Sequence, residues 1–567
     1  MLLILTWALI GGVIAGLAVW HLVAARQLAG EFGLPLDDGW IHARFAQNIA
    51  RGYGFAFNPG EPTGTTTSPL WTLLLALGYR LTGEHLFTGI ALNYALAFGV
   101  CALVCLLVVA LTEGRWLALA TALVFAVTAP LSWWLLSGME PVLYPALALL
   151  GILLHVRRRQ LAGARGLLPT VAFAFAGLAR PEMLLLFPLA LADDLLSFVR
   201  DGRGRPVPRW AGKAVLHVLV FAVIVAPMFL YNLKVTGYPL PTSFYSKLQR
   251  TGVSGALVDE RVTWVAALVG GPALELWKLV AVWARDNCLL ILPFFVGWWW
   301  LVRQGLSRNE RDRGSLLVPG LLMIQPVAWA LVGGYRDPAY QSQRYIADLV
   351  PLYVLVGMVG AWRLGGLLAP LLGRPRPPAR RRRKRRQQVP AIGGASLAPR
   401  GLWLSIAFVV AVLIASAARQ PASVEVYANN VRDTTQMQVR IGRWLRNHVE
   451  GKALLCVNDI GAIGYITDMP VLDLQGLVTP EVLPLRSMAR HLDGTGPRLI
   501  TEFVIAHEPD YLVIFPQWYP FLSMRQDLFT PVFEVVLPDN ITNGSNVMVI
   551  YRTTWADVPQ DETEVEG

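Results

Sequence analysis

Two adjacent carboxylates, Asp37 and Asp38, follow an apolar N-terminal run, and the helix that they open continues with His42 and Arg44. Ionisable groups kept beside a bilayer are costly and are usually functional. A carboxylate that is partly desolvated at a membrane surface can have a raised pKa, which suits a general base. One aspartate could simply cap the helix. Capping does not account for the second carboxylate beside His42 and Arg44, so we predict a catalytic site here.

A turn-rich tract follows this helix and runs from Asn58 to Ser68 with the sequence NPGEPTGTTTS. Its glycines and prolines favour turns over core structure. The hydroxyls and backbone amides could bind a sugar, or the tract could be a plain loop. The sequence alone does not decide between the two.

The composition of the chain describes the elements that must position these residues. The chain has 567 residues, of which 54% are hydrophobic and 15% charged, and its mean hydropathy is +0.48. These values exclude an ordinary soluble protein and predict a polytopic α-helical membrane protein. The net charge of +11 comes from arginines clustered in short loops between apolar runs. That distribution follows the positive-inside rule, so we predict no nucleic-acid partner.

Eleven apolar runs have roughly the length that spans a bilayer, about 20 residues. They lie at residues 2–25, 86–111, 116–136, 141–156, 165–179, 182–199, 212–231, 288–303, 315–333, 344–371 and 401–419. Two further apolar stretches, 67–83 and 262–283, carry charges. If the arginine-rich loops are cytoplasmic, neither stretch can cross, so we place both as interfacial helices on the outer face.

The predicted topology is that of a multi-pass plasma (inner) membrane protein with a cytoplasmic N-terminus. Residues 1–419 form the transmembrane catalytic module, and its outer loop 30–85 carries the acidic pair. Loop 372–400 is cytoplasmic and contains the basic run Arg374–Arg386. This run could bind lipid headgroups or RNA, but a solvated loop that fixes topology explains it sufficiently.

Residues 420–567 have a different pattern. An amphipathic helix over 424–449 precedes ALLCVNDIGAIGYITDMPVLDLQGLVTP, which alternates short apolar runs with Gly and Asp turns. DYLVIFP and NVMVIYR have the composition of further buried strands. We predict a small extracytoplasmic α/β domain over 420–567.

Several motifs resemble those of one enzyme superfamily. The segment DDGWIHARFAQNIARGYGFAFNPGEPTGTTTSPLW (residues 37–71) resembles the first outer loop of bacterial GT-C glycosyltransferases, especially relatives of mycobacterial terminal arabinofuranosyltransferases. Later segments agree with the same resemblance: SGMEPVLY (137–144), GLARPE (177–182), GYPLPTSFYSK (237–247), QRYIADLVPLY (343–353) and NDIGAIGY (458–465).

The resemblance implies a GT-C-like fold and inverting transfer of a sugar from a polyprenyl-phosphate donor at the outer face. The acceptor could be a glycan, a lipid or a protein. Asp37 matches the position of the family's catalytic base, and Asp38 would orient it or bind the acceptor. The departing phosphate needs positive charge that persists through the transition state.

The outer-face motifs supply candidates for substrate contact. Lys247, Arg344 and Arg180 could bind the phosphate, although snorkelling explains interfacial cations, and Arg180 could form a structural ion pair with Glu182. Glu140 could bind sugar hydroxyls or favour a helix start. Tyr245 could stack on a sugar or belong to an interfacial belt. The predicted substrate-binding set is His42, Arg44, Glu140, Arg180, Glu182, Tyr245, Lys247, Gln343 and Arg344.

No cofactor is expected to be required, because the inverting reaction needs no metal. A divalent metal held by Asp37 and Asp38 is the alternative, but no third ligand is visible in the sequence. A transporter or flippase for lipid-linked sugars is the alternative function. Transporters tend to show internal repeats and midplane charges, whereas here the acidic pair lies in an outer loop. A membrane-anchored sensor is a third interpretation, for which eleven spans are excessive.

Overall fold

The computed structural model describes residues 2–112, 114–161, 163–201, 207–247, 253, 263–307, 315–332, 337–368, 399–489 and 495–556. The basic run Arg374–Arg386 lies outside the described residues. The α-helices are numbered here in chain order. They are α1 Leu2–Ala29, α2 Asp37–Ala50, α3 Pro69–Thr82, α4 Leu86–Thr112, α5 Arg115–Ala126, α6 Ala129–Leu136, α7 Leu143–Val156, α8 Leu168–Ala179, α9 Leu186–Asp201, α10 Val207–Thr236, α11 Thr242–Lys247, α12 Gly271–Asn287, α13 Ile291–Gly305, α14 Leu317–Val332, α15 Leu349–Leu368, α16 Pro399–Ala417, α17 Gln420–Thr434, α18 Arg440–His448, α19 Gly461–Thr467, α20 Val482–Ala489, α21 Thr495–His507 and α22 Pro520–Ser523.

Within the described ranges, six helical segments are long and apolar enough to cross a bilayer: Leu3–Ala29, Leu86–Thr112, Trp210–Thr236, Ala266–Gly305, Leu349–Leu368 and Trp403–His448. Helices α5 and α6 meet at an angle of 61° and would add a seventh span if they count as one. Shorter apolar helices lie at Leu143–Val156, Gly163–Ala179 and Leu317–Val332. The predicted class, a polytopic α-helical membrane protein, is confirmed. The count of eleven spans and the sidedness of each loop stay predictions.

Both stretches that the sequence assigns to the interface are helical. The first is α3, and the second is a π-helical turn, Ala266–Gly270, that leads into α12. Asn287 has φ −156° and ψ 88°, so extended backbone separates α12 from the short 3₁₀ turn and α13 that follow. The interfacial placement of these helices stays a prediction.

Helices α13 and α15 pack closely because each has a glycine at the crossing. A Cβ on Gly297 would lie 2.1 Å from the carbonyl oxygen of Val356, and one on Gly360 would lie 1.8 Å from that of Pro293. Small residues allow membrane helices to approach backbone to backbone. This contact fixes α15, which directly follows the segment that carries Arg344.

Helix α2 lies between the helix bundle and the C-terminal residues, where it contacts α3 and α19. Most of its residues from Gly39 to Asn48 are buried. Its N-cap is Leu36, and no side chain caps the helix. Neither Asp37 nor Asp38 therefore acts as the N-cap that the sequence offers as the simple explanation.

The C-terminal residues form a five-stranded mixed sheet in the order β2-β1-β3-β5-β4. The strands are β1 Leu455–Val457, β2 Val471–Asp473, β3 Tyr511–Ile514, β4 Phe529–Val536 and β5 Val547–Thr553. β1 is parallel to β2 and β3, whereas β5 is antiparallel to β3 and β4. The small α/β domain is confirmed. The edge strand β4 is not predicted from its sequence, because Pro531 breaks the pattern at a register shift.

The link between the two parts is helical. After α16 the chain continues through α17, a π-helical stretch at Thr435–Val439, and α18. Helix α17 packs against α1, where Nε2 of His21 lies 3.2 Å from Oγ of Ser423. The domain boundary at residue 420 stays a prediction.

Candidate active site

A cavity of about 460 Å³ lies beside α2, and its lining residues divide by type into a polar half and an apolar half. The polar lining is Asp38, His42, Thr65, Thr66, Thr67, Glu140, Arg180, Glu182, Ser243, Arg344 and Tyr345. The apolar lining is Ile41, Met139, Pro181, Leu184, Leu185, Pro188, Leu240, Phe244, Ala328, Trp329, Val332 and Leu477. Six of the predicted site residues therefore meet here, although they come from segments up to 306 positions apart.

The apolar half extends to the outside of the helix bundle. Pro188 on α9 is exposed, and Val332 at the end of α14 has 49% of its surface exposed. Leu184 and Trp329 also belong to the apolar lining. The cavity lining therefore combines charged side chains with apolar side chains, some of which are exposed.

Helical periodicity places Asp38 and Asp37 on different faces of α2. Asp38, Ile41 and His42 share the cavity face, since residues three and four apart lie on one side of a helix. Asp37 is about 100° away and does not line the cavity. Its carboxylate accepts hydrogen bonds from the backbone N–H groups of Gly461 and Ala462 at 2.7 and 2.8 Å.

Arg44 also lies on the face that meets the C-terminal domain. Its buried guanidinium donates to the carboxylate of Asp468 and, at 3.2 Å, to the carbonyl of Phe57. Arg51 reaches the same carboxylate at 2.9 Å. The sequence places Arg44 with the substrate, whereas in the structure it holds α2 against the domain.

Burial changes the protonation of the acids in this interface. Burial raises the pKa of Asp37 to about 8, and the nearby carboxylate of Asp459 acts in the same direction. The two backbone N–H donors only partly oppose this. Burial likewise raises the pKa of Asp459 to about 6, against a hydrogen bond from Gln438. At neutral pH this pair therefore holds a proton rather than two negative charges.

The polar half of the cavity is a network of carboxylates and guanidinium groups. Arg180 lies 2.7 Å from Glu140 and 2.8 Å from Glu182. Arg344 reaches Asp38 at 2.5 Å, and Nε2 of His42 is 3.3 Å from Glu140. The Arg180–Glu182 pair is the ion pair that the sequence offers as the structural alternative, but both side chains also line the cavity.

The charged forms of these residues are stabilised by their neighbours in the network. Burial disfavours the charged form of Glu140, but the hydrogen bond from His42 and the charge of Arg180 outweigh it, so the pKa of Glu140 is lowered. Burial also disfavours the charge on Arg180, yet Glu182 and Glu140 raise the pKa of Arg180 above its usual value. The cavity thus holds fixed opposite charges in a partly dry site, where electrostatic interactions are strong.

An unusual turn holds Arg344 in the cavity. Gln341, Ser342 and Gln343 all have left-handed backbone, with φ of 48°, 52° and 63°. Each such non-glycine residue costs roughly 1 kcal/mol, so the surrounding structure must enforce the turn. The indole of Trp134 donates to the carbonyl of Ser342 at 2.6 Å, and the hydroxyl of Tyr144 donates to that of Arg344 at 2.7 Å.

The threonine tract forms the opposite edge of the cavity. The hydroxyl of Thr65 donates to the carbonyl of Leu477 at 2.5 Å, as does that of Thr242. The hydroxyl of Ser243 donates to the carbonyl of Thr65 at 2.6 Å. Thr65, Thr66 and Thr67 line the cavity, so the tract forms part of its wall, and its contact with a sugar stays a prediction.

Two predicted residues lie elsewhere, and a third falls outside the description of the site. The ring of Tyr245 packs against Tyr238 and Phe244 and does not line the cavity. Gln343 lines a second cavity instead. Lys247 ends α11, but its side chain lies outside the described residues.

The sequence also does not single out Tyr345, Trp329 and Leu477, which line the cavity. The position of Tyr345 next to Arg344 is the only sequence signal for any of them. Across the ranges that the structure describes, no group of three His, Cys, Asp or Glu side chains could hold a metal ion.

Solved structures share this architecture. ArnT from Cupriavidus metallidurans, in a crystal structure with undecaprenyl phosphate, is 13% identical with a TM-score of 0.53, over 96% of this chain and 98% of that chain. The Archaeoglobus fulgidus oligosaccharyltransferase, in a complex with Zn and sulfate, is 11% identical with a TM-score of 0.53, over 97% and 74% of the two chains. The mycobacterial arabinofuranosyltransferase AftD is 15% identical with a TM-score of 0.48, over 95% and 39%.

The chain has the GT-C fold. The predicted fold class is therefore confirmed by structures that match nearly the whole chain, and at these identities the similarity is one of fold. A family model for a domain of unknown function (DUF8728) matches residues 429–559, which include the whole sheet. No curated protein matches the chain.

Proposed function

We propose that this protein is a glycosyltransferase that transfers a sugar from a polyprenyl-phosphate carrier to an acceptor hydroxyl, at the extracytoplasmic face and with inversion. One observation carries the proposal: the lining of a single cavity combines apolar residues, some of them exposed, with two guanidinium groups and three carboxylates. A polyprenyl-phosphate sugar has the same sequence of parts, from tail to phosphate to sugar. The shared fold with ArnT bound to undecaprenyl phosphate supports this choice of carrier.

Each part of the donor has matching residues. The prenyl tail would lie along Leu184, Pro188 and Val332, in contact with lipid. Its phosphate would meet Arg180 and Arg344, whose fork-like guanidinium groups suit phosphate oxygens. The sugar would then extend into the polar half, towards the face of α2.

The reaction proposed is a single displacement. The acceptor oxygen attacks the anomeric carbon, and the bond from this carbon to the phosphate oxygen breaks, with its electron pair leaving on the phosphate. Asp38 takes the proton of the acceptor hydroxyl as general base. Arg180 and Arg344 are already in place to stabilise the charge that develops on the phosphate. Attack opposite the leaving group inverts the configuration of the sugar.

The ion pair between Arg344 and Asp38 belongs to the resting state in this mechanism. A carboxylate held by a guanidinium is a poor base, because its charge is already stabilised. The donor phosphate competes for Arg344 and releases Asp38 to accept a proton. Donor binding would thus activate the base.

Asp38 replaces Asp37 as the proposed base. The resemblance assigns the base to Asp37, but the side chain of Asp37 is buried and accepts N–H groups of the C-terminal domain. The side chain of Asp38 has 31% of its surface exposed and lines the cavity. Asp37 is accordingly proposed as a positioning residue for the first turn of α2.

The test is transfer by the purified protein in proteoliposomes with polyprenyl-phosphate arabinose, mannose, glucose and aminoarabinose as donors. Asp38→Asn should lower kcat by about 10²- to 10⁴-fold. Asp37→Asn should keep most of the transfer, provided that both variants bind undecaprenyl phosphate and elute as folded protein. The reverse pattern would return the base to Asp37. A wild-type protein that neither transfers any of these sugars nor binds the carrier would contradict the proposal as a whole.

We further propose that no metal is needed, because the guanidinium groups already supply the positive charge. Transfer should be unchanged by EDTA and by added Mg²⁺ or Mn²⁺. A loss of transfer with EDTA that Mg²⁺ restores would instead favour the alternative in which carboxylates of the site hold a metal ion.

A further inference from the structure

A third cavity, of about 590 Å³, is lined by residues of α7, α8, α9 and α10 and of the segment that joins α7 to α8. It lies at the opposite ends of these helices from the first cavity. Glu140 and Arg180 of the first cavity stand before α7 and after α8. Arg158 and Thr170 of the third cavity stand after α7 and in the first turn of α8. Thr170 and Arg180 are therefore about 15 Å apart along α8.

Two aromatic stacks join α9 to α10 at different levels of this cavity. Phe187 stacks on Phe221 with ring centroids 4.1 Å apart, and Phe198 stacks on Trp210 at 5.4 Å. The other α9 and α10 residues of the lining fall between these contacts in sequence, and they include small side chains such as Ala214. Because the rings keep the two helices apart and the side chains between them are small, the protein leaves this space unfilled.

The charged side chains of the third cavity lie near the loop ends of the helices, and apolar side chains line it at greater depth. On α9, Asp194 lies about 10 Å nearer the C-terminal end than Phe187. Lys213 lies within the first two turns of α10, and Phe173 lies one turn deeper in α8 than the first lining residues of that helix. The cavity therefore offers charged groups at one depth and apolar side chains below them.

One cation and one carboxylate oxygen of this cavity are open to a ligand. Arg158 binds Asp193 at 3.2 Å and also binds Oδ1 of Asp194. Asp193 accepts a further bond from Nε2 of His155 at 2.9 Å. Lys213 is exposed and forms no ion pair within the described part of the chain, and the side chain of Asp194 has 33% of its surface exposed. With neutral histidines, the two cations balance the two carboxylates, so the site has no net charge.

We propose that the third cavity binds a glycerophospholipid whose headgroup carries both a phosphate and a primary ammonium group, as in phosphatidylethanolamine. The phosphate would accept a hydrogen bond from Lys213, and the ammonium would donate to the open oxygen of Asp194. The acyl chains would pack on Phe173 and Phe187. An anionic headgroup fits less well, because a site without net charge attracts it only weakly. This inference does not depend on the proposed function.

A membrane lipid, and not a soluble ligand, is inferred from the exposure of α10. Only 6% of the apolar window in the span Trp210–Thr236 is buried within the protein. Leu216 lines the cavity from this helix and has 47% of its surface exposed. The apolar lining therefore includes surface that bilayer lipids contact.

The test compares headgroups on the purified full-length protein in detergent. Phosphatidylethanolamine, phosphatidylglycerol and phosphatidylcholine with identical acyl chains are titrated, and the bound lipid is counted by native mass spectrometry. Phosphatidylethanolamine should bind about three- to fivefold more tightly than the other two, because only its headgroup has an ammonium that donates to Asp194. Free phosphoethanolamine, which has no chains, should not bind measurably. Equal affinities for the three lipids, a preference for phosphatidylglycerol, or tight binding of free phosphoethanolamine would overturn the proposal.

A charge variant tests the headgroup contact. Lys213→Ala should weaken the binding of phosphatidylethanolamine about fivefold, and Lys213→Arg should keep most of it. Lys234→Ala is the matched control, because Lys234 is exposed near the other end of α10 and does not line the cavity. The affinity for undecaprenyl phosphate should change less than twofold in all three variants. An equal loss of both lipids in Lys213→Ala would overturn the proposal, since it would indicate a general effect of charge.

A second variant fills the cavity and leaves its charges unchanged. Ala214→Phe places a ring in the space between the two aromatic stacks, whereas Val215→Phe places one at a neighbouring position that is 57% exposed and does not line the cavity. A ligand that binds the folded state stabilises it. Phosphatidylethanolamine should therefore raise the Tm of the wild type and of Val215→Phe, and it should not raise the Tm of Ala214→Phe. Unchanged binding in both Lys213→Ala and Ala214→Phe would place the lipid elsewhere and overturn the proposal.

Discussion

The two faces of α2 show how one short helix serves two purposes. On the cavity face, Asp38 and His42 meet Arg344 and Glu140, side chains that line the same cavity. On the opposite face, the partners of Asp37 are backbone N–H groups of the C-terminal domain. A phosphate or a hydroxyl can replace a side-chain partner in a cavity. A backbone partner in a buried interface cannot be exchanged unless the C-terminal domain separates from α2.

This difference suggests that one face of α2 contacts ligands and the other positions the helix. The face of α2 that carries Asp37 and Arg44 and meets the C-terminal domain is called the docking face. It fixes the orientation of α2, and that orientation determines which side chains reach the cavity. Gly461 is part of this fit, because a Cβ there would lie 2.1 Å from the carbonyl oxygen of Asp37. The charged residues of the two faces therefore need different tests: ligand affinity for one face and stability for the other.

The largest effect is expected on the cavity face. Arg344→Gln should lower the affinity for undecaprenyl phosphate by about 10- to 100-fold, because a hydrogen bond to a charged group contributes about 1.5–3 kcal/mol. Arg285→Gln is the matched control: its guanidinium lies at the second cavity, so carrier affinity should stay as in the wild type. Binding by fluorescence titration in nanodiscs checks both. Equal losses in the two variants would mean a general charge effect.

On the docking face, Arg44→Leu should destabilise the protein by about 2 kcal/mol, because it removes a buried guanidinium that donates to Phe57, Gln47 and Asp468. Arg51→Leu removes the other partner of Asp468 and should cost less than about 1 kcal/mol, since Arg51 is exposed. Thermal unfolding in detergent measures both changes. The prediction would be wrong if Arg44→Leu lowered carrier affinity while leaving the Tm unchanged.

The protonated pair on the docking face predicts a pH dependence. The pKa values of Asp459 and Asp37 in the folded protein, about 6 and about 8, lie above their usual value. The folded state therefore binds more protons than the unfolded state, and stability falls as the pH rises through this window. The Tm should decrease from pH 5 to pH 8.5 by a few degrees.

Asp459→Asn should flatten this dependence, because it removes one of the two charges that ionisation would bring together. Asp527→Asn is a suitable control, since Asp527 is exposed beside Arg525. A steep pH dependence that persists in Asp459→Asn would assign the effect to other groups.

The smallest effect is expected at Thr242, where the threonine edge of the cavity meets Leu477 of the C-terminal domain. Thr242→Val removes one of two hydroxyl donors to the carbonyl of Leu477, and Thr65 still supplies the other. We expect a loss of about 0.5–1 kcal/mol in unfolding free energy. Ser523→Ala is the matched control, because its hydroxyl bonds only within its own turn. An effect on Thr242→Val no larger than that of the control would remove this contact from the description.

Much of the fold could be predicted from local sequence patterns. The apolar runs at 2–25 and 86–111 became α1 and α4 almost without change, because a run of that length can satisfy its backbone in a bilayer only as a helix. DYLVIFP and NVMVIYR became β3 and β5 for a similar local reason, since short apolar runs with β-branched residues suit a buried sheet. The strand β4 was not predicted because it contains Pro531, and a proline usually argues against a strand.

The candidate site was predictable only in part. Asp38, Glu140, Arg180 and Arg344 could be named because each stands in a polar motif at the end of an apolar run. Tyr245 and Arg44 stand in equally polar motifs, yet they contact other parts of the protein. Residue type and position beside a membrane identify candidates, and they do not say which candidates face each other.

The sequence by itself determined that this is a polytopic membrane protein with a polar loop after its first apolar run and a small α/β domain, since those features follow from hydropathy and local periodicity. Only the tertiary structure decided that Asp38 faces the cavity and Asp37 faces the domain. A helix separates adjacent residues by about 100°, but which face meets which partner depends on contacts between segments hundreds of residues apart.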